Sequence, residues 1–391
     1  MIGRMRQNPS APVRRAASEI EWLVPVALGI SAVIVVLLVW TAILGAEHTA
    51  GWGFDFRAYY EAAVRFVATG SPYQAETLNS QFRPGPSGLY LYTPLPALLV
   101  VPLTWLGMAP ATMTWLLLRL GLLMATCALM PVPRWVKLAT LGVSIISAEF
   151  LFDLNLGNVS LIVTFFAVVA WRWLDRPASG LAIAASMAVR PAMGVIWIWW
   201  LVRRKWQPAA WTIVGLGAMF LVSLPFMGID PWFQYVKVLR NVSDVMGVDR
   251  NLDFGSTALA LGISEPVSNM FLFAGFVLAI GAIILGLRRD REIGYVVTLM
   301  ATLLLSPLLW DHYLTNLIVP GALLAARGRR IGVLLPLLGW LPLIVLPFVA
   351  TLAMLLPFTV RDRGEPALVL GGDEPDPIPD VDPSLSGAAG A

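Results

Sequence analysis

The chain has 391 residues, of which 58% are hydrophobic and only 13% charged, with a net charge of +3 and a mean hydropathy of +0.75. Soluble domains carry roughly 25% charged residues, so soluble, disordered, collagenous and disulfide-stapled classes are excluded. A single cysteine, Cys127, two histidines, His48 and His312, and no basic block exclude an intramolecular disulfide and speak against a His-built metal centre and a nucleic-acid partner.

In chain order, Arg4, Arg6, Arg14 and Arg15 precede a first apolar run at 23–44. A helical span needs about 20 apolar residues. This run is too long for a leader core and lacks a small-residue cleavage site. It reads as an uncleaved first helix with a cytoplasmic N-terminus. Further apolar runs lie at 94–108, 111–130, 138–152, 159–169, 179–202, 209–227, 268–287, 293–309, 314–326 and 331–357. Basic clusters separate them: Arg134 with Lys137; Arg172 with Arg176; Arg203, Arg204 and Lys205; Arg288, Arg289 and Arg291; Arg327, Arg329 and Arg330.

The positive-inside rule asks for every cluster in the cytoplasm. Two adjustments achieve it. The run 94–108 is short, carries Pro94, Pro96 and Pro102, and need not cross. The run 179–202 breaks at Pro191, directly after Arg190, into two short helices whose tip points outward. The expected fold is an all-α polytopic membrane protein with about 10–12 transmembrane helices. Residues 1–21 form a cytoplasmic segment, 22–357 the transmembrane domain, and 358–391 a disordered tail. Within that tail, 361–391 hold seven acidic residues and five prolines. No internal repeat is evident.

This topology sends the polar segments outward together. They are the long first loop 46–93, the connection Asp153-Leu-Asn-Leu-Gly-Asn158, the loop 228–267 and the Trp310-Asp-His-Tyr313 turn. In the first loop, Phe56, Tyr59/Tyr60, Ala63 and Val67 recur at helical spacing, with Arg57, Glu61 and Arg65 on the opposite side. That pattern is an amphipathic helix on the outer membrane surface. Asp55 stands at its start. It can cap the helix, or it can act as a base at the lipid–water boundary.

Arg190 is a cation in apolar sequence, which costs about 2.5–3.5 kcal/mol on insertion scales. It needs a carboxylate such as Glu149, a phosphate or a watery cavity. Glu149 and Asp153, four apart, share one helix face. Arg119 can reach the outer surface as well. His312 is either an interfacial belt residue or, with Asp311, a binder of an anion or hydroxyl. Two arginines, a histidine and carboxylates around one outward cavity suit a lipid phosphate plus a hydroxyl acceptor.

The order of these features carries a resemblance. Asp55 and Tyr59-Tyr60 are followed by Ser71-Pro-Tyr73, Tyr90-Leu-Tyr-Thr-Pro-Leu95, Leu156-Gly-Asn-Val159, Ala188-Val-Arg-Pro191 and Ser306-Pro-Leu-Leu-Trp-Asp-His-Tyr313. Over roughly residues 20–345 the chain resembles glycosyltransferase family 87 of the GT-C superfamily. That family includes actinobacterial mannosyltransferases that use polyprenyl-phosphate mannose. The family's Tyr-Pro-Pro falls on Tyr92-Thr93-Pro94, its Gly-Gln on Gly157-Asn158, its Lys before proline on Arg190, and its Asp-His turn on Asp311-His312.

The resemblance implies transfer of a mannosyl residue, with inversion, from a polyprenyl-phosphate sugar donor to a lipid-linked glycan acceptor at the outer face of the bilayer. Asp55 would be the base. Arg190, Arg119 and His312 would hold the donor phosphate. Tyr59, Tyr92, Asn158, Glu149, Asp153, Trp310 and Asp311 would line the substrates. The scheme requires no cofactor and no metal. The competing expectation is a transporter or lipid flippase, which the Arg190–Pro191 break would suit. A non-catalytic assembly factor would not need Asp55, Arg190 and His312 to converge.

Overall fold

The computed structural model describes residues 23–46, 52–79, 90–241, 251–306, 308–341 and 345–355. The expectations for 1–21 and for the tail 358–391 therefore fall outside the described residues. Helices α1 (Leu23–Ala46), α2 (Phe54–Thr69) and α3 (Ala75–Asn79) come first. Then follow α4 (Pro94–Val100), α5 (Met108–Leu129), α6 (Arg134–Ile146), α7 (Ala148–Leu156), α8 (Ser160–Arg172), α9 (Pro177–Val189) and α10 (Gly194–Val202). The last are α11 (Trp206–Met227), α12 (Asp230–Asn241), α13 (Phe254–Ala260), α14 (Glu265–Leu287), α15 (Arg291–Leu304), α16 (Ile318–Ala326) and α17 (Val345–Leu355). Tighter 3₁₀ segments span Val101–Leu106, Pro191–Met193, Asp311–Leu317 and Arg330–Trp340. Among the described residues there is no strand.

This is an all-α polytopic membrane protein. Val33 and Val36 on α1, Val222 and Phe226 on α11, and Met270 and Phe273 on α14 are each more than half exposed. Apolar surface of that extent belongs against hydrocarbon rather than water. By length and composition four described helices, α1, α5, α11 and α14, can cross alone, or five if the bent pair α6–α7 counts as one span. The other apolar helices are shorter.

Several of the expected runs are interrupted. The run 138–152 bends by 64° between α6 and α7. Ser147 is extended there, with φ −78° and ψ 145°, and both its backbone N–H and its hydroxyl donate to the Ser144 carbonyl, at 3.1 and 2.9 Å. The run 331–357 divides into the 3₁₀ segment and α17. The expected break at Pro191 is present: α9 stops at Arg190, whose φ of −132° and ψ of 100° are the extended values that a following proline imposes.

The basic loops gather at one end. Asp175 receives Arg291 at 2.9 Å and Lys205 at 3.4 Å, while Arg327 pairs with Asp290 at 2.8 Å and Glu292 at 2.7 Å. Arg172 donates to the Leu129 carbonyl at 3.2 Å, tying in the loop before Arg134. Helix α8 runs from Ser160 to this end, and α9 runs from it to Arg190. The polar segments meet at the other end. The Gly53 amide donates to Asn155 O at 2.8 Å, Ser71 Oγ to Gln234 Oε1 at 2.6 Å, and Asn241 Nδ2 to Thr77 O at 2.9 Å. Leu252 N donates to Leu309 O at 2.8 Å.

Candidate active site

Helix α2 buries Phe56, Ala58, Tyr59, Ala62, Ala63 and Phe66 against α4, α5, α7 and the segment Val101–Leu106; of the apolar stripe read in the sequence, Phe56, Tyr59 and Ala63 are buried, Tyr60 is half-buried and Val67 is exposed. Burial of each large side chain contributes about 1.5–3 kcal/mol. Its first turn is clasped to the end of α7 by two left-handed glycines, Gly53 (φ 75°) and Gly157 (φ 74°). A Cβ on Gly157 would lie 2.7 Å from Phe56 Cβ, so the two chains approach as only glycine allows. Trp115 closes the clasp, donating Nε1–H to Gly157 O at 2.8 Å and stacking on Phe56 at 5.3 Å.

Gly53 therefore holds the cap position that was one of the two readings of Asp55. Asp55 is the second helical residue, and its Oδ2 accepts a hydrogen bond from Asn158 Nδ2 at 2.7 Å. The orientation of that amide follows from its other end. Asn158 Oδ1 accepts from both the backbone N and the Oγ of Ser160, each at 2.9 Å. Flipping the amide would set a donor against those donors and an oxygen against a carboxylate.

The array continues. Arg190 Nη2 donates to Ser160 Oγ at 2.9 Å. Tyr92 Oη accepts from Tyr59 Oη at 3.0 Å and from Asn158 Nδ2 at 3.2 Å. Asp55 and Arg190, 135 positions apart by subtraction of their numbers, are thus linked by two side chains from the start of α8.

The two arginines differ. Arg119 is neutralised: it pairs with Asp153 and donates Nη1–H to Leu154 O at 3.1 Å. The anion that sequence reasoning offered it as a phosphate is already supplied by the protein. Arg190 is just as buried, yet no carboxylate lies within 4 Å among the described residues, and Glu149 is not its partner. Its guanidinium sits 3.4 Å above the Tyr313 ring, and Nη1 has no hydrogen-bond partner there. A buried unpaired cation is costly, and a ring face returns only about 2 kcal/mol.

His312 is buried against Trp310 (5.7 Å between centroids) and Tyr313 (4.9 Å), and its Nε2 has no hydrogen-bond partner among the described residues. Asp311 heads the 3₁₀ segment and is partly exposed. Glu149 and Asp153 are fully buried on α7. Asp153 serves Arg119, and Glu149 lies against Gly339. Sequence reasoning missed Ser160 and Tyr313. The first was legible in the Asn158-Val-Ser160 spacing, an Asx-type turn. The second lay in a motif already singled out. Among the described residues no three His, Cys, Asp or Glu side chains converge as metal ligands.

Asp55 is electrostatically distinct. Burial pushes its carboxyl from the usual carboxylate range up to about 6, while the Asn158 hydrogen bond and the Arg119 charge pull it down. A carboxylate with that affinity is ionised at neutral pH and still basic enough to take a proton.

A model of glycosyltransferase family 87 matches residues 90–309, more than half of the chain. The chain belongs to glycosyltransferase family 87. A curated relative, the polyprenol-phosphate-mannose-dependent alpha-(1-2)-phosphatidylinositol mannoside mannosyltransferase of Mycobacterium tuberculosis, is 25% identical over 308 residues, covering 67% of this chain and 70% of the relative. No solved structure matches. Family 87 membership makes this a membrane glycosyltransferase and sets aside the transporter reading. Tyr92, Asn158, Ser160 and Arg190 lie inside the matched segment; Asp55 precedes it, and the fold carries it in.

Proposed function

We propose that this family 87 enzyme transfers mannose from a polyprenyl-phosphate donor to a glycolipid hydroxyl at the outer membrane face, inverting the anomeric centre. The acceptor oxygen attacks the anomeric carbon as Asp55 takes its proton. The bond to the phosphate oxygen breaks on the opposite face, and polyprenyl phosphate leaves as an anion. A β-linked donor gives an α-linked product. Arg190 holds the departing phosphate, with His312 offering a ring nitrogen beside it. Tyr59, Tyr92 and Trp310 line the sugar, and Asn158 orients the base.

The observation that carries this reading is the array Asp55–Asn158–Ser160–Arg190, which sets a base and an unneutralised cation in one buried site. Sugar nucleotides stay in the cytoplasm, so an outward site calls for a lipid-linked donor. Purified protein given labelled polyprenyl-phosphate mannose and a lipid extract should form a labelled glycolipid, and a sugar nucleotide in its place should form none. Absence of product from folded protein would sink the proposal.

Two expected results accompany it. The ionised carboxylate is the active form, so activity is present above the Asp55 pKa and lost as pH falls through it. A plot of log kcat/KM against pH should be flat above about 6 and fall with unit slope below. A knee near 4, the ordinary carboxylate value, would mean that the titrating base is another group. Second, with Cys127 replaced, a cysteine at Gln81 in the loop 46–93 should react with an impermeant maleimide on intact cells. Labelling only after the membrane is opened would place the site on the cytoplasmic face.

A further inference from the structure

Helix α12 carries the sequence Asp230-Pro-Trp-Phe-Gln-Tyr-Val-Lys-Val-Leu-Arg-Asn241. Its proline falls in the first turn, where a missing N–H is tolerated. Pro231, Tyr235 and Val238 recur at helical spacing and are the residues it buries. Three side-chain hydrogen bonds fix its position. Gln234 Oε1 accepts from Ser71 Oγ at 2.6 Å, Asn241 Nδ2 donates to Thr77 O at 2.9 Å, and Trp232 Nε1 donates to Ser223 Oγ on α11 at 3.2 Å. Tyr235 thereby enters one buried cluster with Tyr73, Tyr90 and Leu308, against which Tyr92 and Trp310 pack. Its ring stacks on Tyr73 at 6.5 Å, with 21° between the planes.

The hydroxyls divide the chain's eight tyrosines into two kinds. Tyr59 donates to Tyr92 Oη, Tyr60 to Thr104 O, Tyr73 to Tyr92 O, Tyr90 to Thr93 O and Tyr295 to Ala167 O. Those protons are used inside the protein. The phenol protons of Tyr92, Tyr235 and Tyr313 have no acceptor among the described residues. These three hydroxyls border one region. Tyr92 Oη is 3.2 Å from Asn158 Nδ2, and Tyr313 lies under the Arg190 guanidinium. Burial, and then the neighbouring Tyr313 hydroxyl, hold the Tyr235 phenol above its usual value. Arg190 Nη1 and His312 Nε2 lack a partner in the same region.

We infer that the Tyr235 hydroxyl hydrogen-bonds a hydroxyl of the donor's sugar and so helps to select that sugar. The inference rests on the polyprenyl-phosphate sugar donor proposed above. Position and charge decide the contact. The anomeric carbon has to lie between the Asp55 base and the phosphate at Arg190, which sets the sugar ring beside Tyr92 and Tyr313. A sugar hydroxyl both donates and accepts, and so does a neutral phenol. The leaving phosphate calls instead for a cation, which Arg190 supplies. Among the described residues no hydrogen bond ties Tyr235 to the array from Asp55 to Arg190, so its hydroxyl is not committed to holding the base or the cation. A site built to hydrogen-bond a substrate hydroxyl rejects the analogue that lacks it, because its own buried group is then left unpaired.

The test uses full-length protein in lipid, with polyprenyl-phosphate mannose and its 2-, 3-, 4- and 6-deoxy analogues as donors. Tyr235→Phe removes the hydroxyl and keeps the ring on Tyr73, so the thermal midpoint should hold. It should lower kcat/KM for the mannosyl donor about tenfold, the weight of one neutral hydrogen bond. One deoxy donor should already be slow with wild type by about that factor and lose nothing further in the variant. The other deoxy donors should lose as much as mannose does, the pattern of a direct pair in a double-mutant cycle. Equal loss with every donor, or no loss, overturns the inference, as does a rise confined to the acceptor KM. Equal use of mannose and all its deoxy analogues by wild type overturns it without any variant. Equilibrium binding without acceptor gives a readout independent of turnover. Tyr235→Phe should weaken the mannosyl donor about tenfold and leave bare polyprenyl phosphate within about twofold of wild type. Equal weakening of both would put Tyr235 on the phosphate and overturn the inference; so would a wild type that binds the two alike. If wild type binds the donor but transfers no mannose, the proposed function fails while the deoxy-donor affinities still decide Tyr235.

Discussion

Asp55→Asn is expected to lower kcat by about 10²–10⁴-fold, the usual weight of a general base, with KM for the donor and the thermal midpoint nearly unchanged. The amide oxygen can still accept the Asn158 hydrogen bond, so the array and the start of α2 persist. What is lost is the ability to receive the hydroxyl proton. A change confined to kcat marks an interaction made in the transition state. The residual activity of Asp55→Asn should also lose the inflection near pH 6 that burial gives the wild-type carboxyl. Near-normal turnover of a folded Asp55→Asn protein would remove Asp55 as the base. Asp153, committed to Arg119, and Glu149, sealed against Gly339, would be poor replacements.

Arg190→Ala is expected to slow transfer by about 10²–10³-fold, the cost of removing one preorganised charge-assisted contact from a dry site. It should weaken binding of polyprenyl phosphate, the product that carries the same anion. Stability should not fall with activity, because the substitution removes a buried cation with no carboxylate beside it. Arg190→Lys keeps the charge above the Tyr313 ring and should retain part of the activity, although an ammonium lacks the planar fork. His312→Ala should act in the same direction and more weakly, since a neutral imidazole offers one hydrogen bond and no full charge. Unchanged affinity for polyprenyl phosphate, with only the acceptor KM raised, would move both residues to the acceptor side.

Several features were legible from residue order. The apolar runs, the clustering of basic loops at one end and the proline break after Arg190 follow from local hydropathy, charge and backbone sterics, and all three are present. The amphipathic stripe of α2 is present at Phe56, Tyr59 and Ala63, but Val67 is exposed. The 64° bend at Ser147 was not legible, because a serine between two apolar helices carries no strong breaking signal. Nor does hydropathy distinguish one long span from two short helices, so the expected count of spans exceeds the number of unbroken helices long enough to cross.

The sequence by itself determined that the protein lives in a bilayer and that its basic and polar loops separate, and it singled out Asp55, Arg119, Glu149, Asp153, Asn158, Arg190 and the Trp310–Tyr313 turn without ranking which of them are spent on one another. Those are properties of composition and of short windows. Which polar groups are spent on one another was decided only by the tertiary structure. Arg119 and Arg190 look equivalent in sequence, each a cation in an apolar run. Folding sets Asp153 against the first and only a hydroxyl and an aromatic face against the second. In low dielectric an ion pair four ångströms apart and an unpaired charge differ by many kcal/mol at the upper bound. That difference depends on distances between residues 30 or more positions apart, which no local pattern encodes.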